Sequence, residues 1–146
     1  MNLRKGFLLS ISVFLLDQII KFFAAKMPLG VEHPIAFGLS WTYIQNTGMS
    51  FGLFQGNNLM LIWISVIIFG LLVYWYDSFK TTLSQVAYWL IMAGLFGNLI
   101  DRILRGFVVD MISVGTFPVF NVADSAITLA VVLLLIDELR TWGRRE

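Results

Sequence analysis

LSQVAYWLIMAGLFGNLIDR, residues 83–102, decides the fold. From Leu83 to Ile100 it carries no charge, and it approaches the roughly 20 residues that a helix needs to cross a bilayer core. It then closes in Asn98, Asp101 and Arg102. Polar groups at membrane depth are expensive, so a span that ends in three of them is a candidate for chemistry at that end.

Three other stretches share this character, from about Gly6 to Ala25, Leu59 to Tyr76 and Val122 to Leu139. The composition agrees. Of 146 residues, 58% are hydrophobic and 13% charged, against about 45–50% and about 25% in soluble domains. A chain this short cannot hide so much apolar surface from water. The predicted fold class is therefore an all-α integral membrane protein with four transmembrane helices, forming a single membrane-embedded domain over residues 1–146. Internal repeats are absent.

A net charge of +1 gives no reason to expect a nucleic-acid partner. Without cysteine there is no disulfide, thiolate site or lipidated thiol on this chain, and a lone His33 argues against an imidazole metal centre or a histidine triad. No metal and no cofactor is expected. The first stretch resembles a secretory signal, with Arg4 and Lys5 ahead of an apolar run. It continues through Asp17 and Lys21 without a convincing cleavage site, and is expected to be a retained helix.

Direction follows from the basic residues flanking the spans. Arg4, Lys5, Lys80, Arg140, Arg144 and Arg145 fall on one side; Lys26, Arg102 and Arg105 fall on the other. Both termini are expected in the cytoplasm, with loops 26–58 and 101–121 facing outward. Within the first loop, Ile35–Leu39 and Trp41–Gln45 read as short strands parted at Ser40. The aromatic residues of this loop (Phe37, Trp41, Tyr43, Phe51, Phe54) suit a membrane interface.

The polar residues are not scattered. Asp17 and Lys21 share a helical face in the outer half of the first span, as do Asn98 and Asp101 at the end of the third. Asn121 and Asp124 open the fourth, and Asn46 and Asp110 lie in the two outer loops. One polar cluster near the outer leaflet is implied. Its chemical core is the pair Asp110 and Asp124. Two adjacent carboxylates cannot both ionise easily, so they share a proton. The ionised member then takes a proton from water while the protonated one polarises a peptide carbonyl. Such a pair titrates as a unit, so neither is assigned as acid or base.

The motifs that hold these residues resemble those of the lipoprotein signal peptidases (signal peptidase II). They are Asp17-Gln18-Ile19-Ile20-Lys21, Asn46-Thr47-Gly48-Met49-Ser50-Phe51-Gly52, and Gly97-Asn98-Leu99-Ile100-Asp101-Arg102 continuing through Gly106 to Asp110. The last runs from Phe117 to Ile127. They occur in family order and cover most of the chain. The resemblance implies a four-helix membrane protease with a small extracytoplasmic β-rich cradle. It would cut diacylglyceryl-modified prolipoproteins before the lipid-bearing cysteine, as a monomer among membrane lipids, and be blocked by the peptide antibiotic globomycin. Asp110 and Asp124 fall on the catalytic aspartates. Asn46, Asn98, Arg102 and Asn121 fall on positions that contact substrate or orient the dyad, and Asp17, Lys21 and Asp101 on supporting ones. The chain departs from the family at Ser50, where alanine is usual, and at Met111, where phenylalanine is. Only 13 residues (111–123) separate Asp110 from Asp124, several fewer than usual. The shortening is expected to remove an outward helix over the site, altering the lid, the lipid clamp and inhibitor affinity.

Plainer readings stand beside these. Asp17 and Lys21 make a neutralised pair inside a helix bundle. Asp101 with Arg102 makes an interfacial charge pair. The asparagines are as readily interhelical glue, worth about 0.6–2 kcal/mol each, as substrate ligands. Gly94 and Gly97 let helices approach, His33 is an exposed loop residue, and the aromatics of the second span (Trp63, Phe69, Tyr74, Trp75, Tyr76) pack or face lipid. Two other functions remain open at this point: an inactive relative that only binds lipopeptides, and a small proton-coupled transporter. Transporter sites usually lie at the midplane between repeats, whereas here the carboxylates crowd one end.

Overall fold

The computed structural model of the chain describes residues 1–48 and 54–142. Met49, Ser50, Phe51 and Gly52 of the second motif, and Arg144 and Arg145 of the charge asymmetry, lie outside the described residues.

Four long helices carry most of the chain: α1 (Leu3–Ala24), α2 (Asn58–Tyr74), α3 (Thr82–Arg105) and α4 (Val122–Trp142). Between them lie β1 (His33–Ala36), β2 (Leu39–Asn46), β3 (Val108–Val114) and β4 (Phe117–Phe120), paired antiparallel in that order as one sheet. The sheet gathers where α1 and α3 end and α2 and α4 begin. This is the sheet end of the bundle.

Local chemistry closes the ends of several of these apolar runs. Asn2 caps α1 by accepting the Lys5 N–H at 2.9 Å. Thr81 and Ser84 form a reciprocal capping box at the start of α3. Gly106, at φ +80°, ends α3 in the left-handed conformation that glycine adopts without strain. Helix α3 therefore runs five residues beyond Ile100, taking Asp101, Arg102 and Arg105 into its last turns.

Two of these helices, α1 and α3, are long and apolar enough to cross a membrane by length and composition. Helix α2 is apolar but 17 residues long. Helix α4 carries Asp124 near one end and Asp137, Glu138 and Arg140 near the other. Leu8, Leu15, Ile67, Val73, Leu129 and Leu135 are all exposed on helix surfaces, far more apolar surface than a water-soluble monomer leaves uncovered.

Helix α3 packs against the other three. Its small residues set the spacing. A Cβ on Gly94 would lie 2.5 Å from the Ala123 carbonyl oxygen, and one on Gly97 would lie 2.7 Å from an Asp17 oxygen. Ala87, Leu90, Ala126 and Ala130 continue the α3–α4 contact toward the far end. At the sheet end, Val109 and Met111 pack with Tyr43 on Ala24, which fixes the sheet to the last turn of α1.

The strands differ from the expectation in two places. The first hairpin turns at Phe37–Gly38 (φ +50° and +77°), with Ala36 opposite Leu39, rather than at Ser40. A turn with positive φ at both central positions is of the type I′ kind, and Gly38 supplies the second without strain. The stretch after Asp110 is a second hairpin, turning at Gly115–Thr116. The described chain between Asp110 and Asp124 thus completes β3, adds β4 and enters α4 without an intervening helix.

Candidate active site

Asn121 and Asp124 are placed by the start of α4. The Asn121 side-chain oxygen accepts the Asp124 N–H at 2.8 Å, and an Asp124 carboxylate oxygen accepts the Asn121 N–H at 3.3 Å. This reciprocal cap is built on an Asn-x-x-Asp spacing. Another N–H of that first turn, from Ala123, donates to Asp17 on α1 at 2.9 Å. Asp110 is brought opposite by β3, which pairs with β2 across Asp110 and Ile44.

Three asparagines hold these carboxylates, and each is oriented by an obligate donor. Asn46 accepts the Gly48 N–H at 2.9 Å, so its amino group faces Asp110, donating at 2.8 Å. Asn121 accepts the Asp124 N–H, so its amino group also faces Asp110, at 2.7 Å. Asn98 accepts from the Lys21 ammonium at 2.9 Å, so its amino group donates to Asp124 at 2.8 Å. Asn121 further donates to the Asn98 oxygen at 3.1 Å, tying the two halves together.

Behind this layer sits an ionic one. Lys21, fully buried, lies 2.8 Å from Asp17 and 3.0 Å from Asp101. Asp101 also pairs with Arg105 at 3.3 Å and accepts the Val109 N–H, which anchors β3. The expected Asp101–Arg102 pair does not form: neighbours in a helix point apart, and Asp101 meets Arg105 one turn on. Arg102 instead donates to the Gly48 carbonyl at 3.1 Å.

A cavity of about 180 Å³ joins these groups. Its polar side is Asn46, Asn98, Arg102 and Asp124; its apolar side includes Leu61, Ile64 and Ile68 of α2 and Ile127 of α4. A larger groove of about 340 Å³, lined by Phe7, Phe14 and Trp89 among others, holds no titratable group. Of these two, the smaller cavity is the one that meets the polar cluster.

Asp110 is 2% exposed. Burial first, and then the charge of Asp124, push its carboxyl up from 3.8 to about 7, against the opposing hydrogen bonds from Asn46 and Asn121. A carboxyl that holds its proton near neutrality beside another carboxylate is the electrostatic arrangement of a proton-sharing pair.

The family model described as signal peptidase (SPase) II matches residues 9–140 of this chain. The chain belongs to the signal peptidase II family. It is 42% identical over 142 residues to a lipoprotein signal peptidase of Thermodesulfovibrio yellowstonii, covering 90% of this chain and 94% of the relative. A lipoprotein signal peptidase of Syntrophomonas wolfei is 42% identical over 137 residues, with 92% of each covered. A bacterial membrane enzyme solved by the in meso method at 2.3 Å resolution superposes with a TM-score of 0.92 at 34% identity, over 99% of this chain and 93% of that one. A second such enzyme, at 1.9 Å, gives 0.85 at 35% identity over 94% of each chain. Signal peptidase II is thus a membrane peptidase family whose fold this chain shares.

Of the residues singled out by sequence, Asp17, Lys21, Asn46, Asn98, Asp101, Asp110, Asn121 and Asp124 form one hydrogen-bonded network. Arg102 joins it through the cavity and Gly48. Asn46 and Asp110 lie on strands rather than in open loops. Sequence reasoning passes over Gln18, whose side chain donates to Asp17 and to the Gly97 carbonyl, and Arg105 as a partner for Asp101. The i,i+4 spacing of Asp101 and Arg105 is the available signal.

Proposed function

We propose that this chain is an aspartic-type signal peptidase that removes signal peptides from diacylglyceryl-modified prolipoproteins, cutting before the lipid-bearing cysteine. Family membership and the relatives' shared name, lipoprotein signal peptidase, support the substrate class. The catalytic assignment rests on one observation: two carboxylates, Asp110 and Asp124, are held by amides alone beside the cavity that carries the polar cluster.

The ionised carboxylate takes a proton from water, whose oxygen attacks the scissile carbonyl carbon. The protonated carboxyl gives its proton to the carbonyl oxygen, forming a gem-diol. As that intermediate collapses, the peptide C–N bond breaks, the leaving amine takes a proton from one carboxyl, and a gem-diol hydroxyl returns its proton to the other carboxylate, which restores the singly protonated pair. Asn46, Asn98 and Asn121 keep both carboxylates oriented, Arg102 faces substrate in the cavity, and Asp17, Lys21 and Asp101 support this layer.

In this reading all four helices span the cytoplasmic membrane, both termini are cytoplasmic, and the sheet end lies at the extracytoplasmic face. The substrate's acyl chains stay among membrane lipids while its peptide reaches the dyad. A single chain suffices, and a globomycin-type peptide blocks the site by occupying the dyad.

The test is cleavage of a diacylglyceryl-modified prolipoprotein by detergent-purified protein. Wild type cuts it; Asp110→Asn and Asp124→Asn lose at least about 10³-fold in rate while remaining folded. Unimpaired cleavage by either variant removes the dyad. No cleavage by wild type, where a known family member works, returns the reading to an inactive lipopeptide binder.

A further inference from the structure

Each of the three asparagines that serve the dyad has its oxygen held by a group that can only donate. For Asn46 and Asn121 that group is a backbone N–H, of Gly48 and Asp124. For Asn98 it is the ammonium of Lys21. Lysine has three donors and no acceptor, and all three are used, on Asp17, Asp101 and Asn98. An Asn98 amide turned the other way would set its amino group against an ammonium and its oxygen against a carboxylate. The cation therefore dictates which end of that amide Asp124 meets.

We propose that Lys21 is a positioning residue for the hydrolytic step: it locks the Asn98 amide so that Asp124 is met by a hydrogen-bond donor and serves as an acceptor. The inference rests on the dyad reading above. Without the ammonium, the Asn98 oxygen keeps only the longer 3.1 Å bond from the Asn121 amino group, and the amide turns more readily. Its oxygen then faces Asp124, an arrangement that holds only when Asp124 carries a proton on that side. Loss of Lys21 thus favours the doubly protonated pair, which cannot take a proton from water. The effect passes through one amide and needs no contact between Lys21 and substrate.

The charged groups around the dyad fix the sign. Helix α1 presents Asp17 and Lys21, α3 presents Asp101, Arg102 and Arg105, β3 contributes Asp110 and α4 contributes Asp124. Removing one cation from this set makes every remaining carboxyl harder to ionise. Both limbs of the pH–rate profile move to higher pH.

Lys21→Met tests this, with kcat, KM and the pH profile measured on lipidated prolipoprotein in detergent. We expect kcat at neutral pH to fall about 100-fold, the scale of an acid–base contribution. KM should stay within about threefold, since the lysine does not touch substrate. The acid limb should move up by about one pH unit, a displacement linked to the lost charge and lost hydrogen bond. Lys21→Arg, which keeps a donor-only cation, should restore the wild-type profile even where its kcat stays reduced.

Where Lys21→Met alone does not fold, Lys21→Met/Asp101→Asn leaves the cluster formally neutral, with Arg105 and Asp17 remaining, and should show the smaller upward displacement of the acid limb that comes from the lost hydrogen bond alone. A folded lysine variant with the wild-type kcat and profile overturns the proposal and leaves the dyad standing. An unchanged profile with proportionally fewer active molecules overturns it too, in favour of a purely structural lysine. Active Asp110→Asn or Asp124→Asn enzyme would instead break the functional reading beneath it.

Discussion

Asp17 and Asp101 on one side, and Asp110 and Asp124 on the other, are two carboxylate pairs within one network, and they differ in what surrounds them. The first pair lies against cations: Lys21 touches both, and Arg105 adds to Asp101. The second is held by side-chain amides and one backbone N–H, with no ion-pair partner among the described residues. Neutralised carboxylates are settled structure. Carboxylates given only neutral donors keep their competition for a proton, and the proposed hydrolytic step would draw on that competition.

The contrast is broken most directly by the same substitution on each side. Asp101→Asn leaves Lys21 with Asp17 as its one counter-charge and removes the partner of Arg105 and an acceptor for the Val109 N–H, and should destabilise by about 1–3 kcal/mol. Asp110→Asn should do the opposite to stability while abolishing cleavage. Thermal unfolding in detergent, beside the cleavage assay, separates the two. A stable Asp101→Asn or a collapsed Asp110→Asn would erase the distinction.

pH sharpens it further. The Asp110 carboxyl is raised from 3.8 to about 7, so the folded chain holds a proton that the unfolded chain releases. Its contribution to stability is fully present below 3.8 and is lost as pH rises through about 7. Wild type should therefore melt lower at pH 8 than at pH 6. Asp110→Asn, which has no such proton, should show a flatter dependence. The difference is at most a few kcal/mol, because each tenfold change in proton affinity is worth about 1.4 kcal/mol. Cleavage should fall over the same alkaline range, as the shared proton leaves the pair. A melting temperature that rises from pH 6 to pH 8 would contradict the assignment.

The smallest effect tests the frame behind both pairs. Gly94→Ala places a methyl group 2.5 Å from the Ala123 carbonyl oxygen and 2.6 Å from Ile127. We expect α3 and α4 to part slightly, at about 1–3 kcal/mol, with activity lost in proportion because Asp124 follows Ala123. Wild-type stability and rate would mean that the contact yields more easily than its geometry implies.

The helices are legible in the sequence because their apolar runs are long, and those of α1 and α3 also carry caps. The site residues are legible for the opposite reason: Asp17, Lys21, Asn98 and Asp101 are polar groups in surroundings that tolerate few. Strands β3 and β4 do not announce themselves as strands. Val108, Val109, Asp110 and Met111 are all buried, so the alternation that marks a half-exposed strand is missing there. In the first hairpin, the polar Ser40 is a stronger turn signal by residue type than Phe37, yet the chain reverses at Phe37–Gly38. The wiring of the amides is the least legible part. It depends on which atom of each asparagine faces which donor, a property of folded geometry that residue type does not carry.

The hydrogen bond from Ala123 to Asp17 joins residues 106 positions apart. It makes the first helix a fastener for the beginning of the last. Until synthesis reaches α4 and that helix docks on α1, Asp124 has no fixed place and the dyad does not exist. If Asp110 and Asp124 are the catalytic pair proposed above, a ribosome-bound chain carrying only the first three helices lacks one of the two and would be inert, unable to cut its neighbours during its own biogenesis.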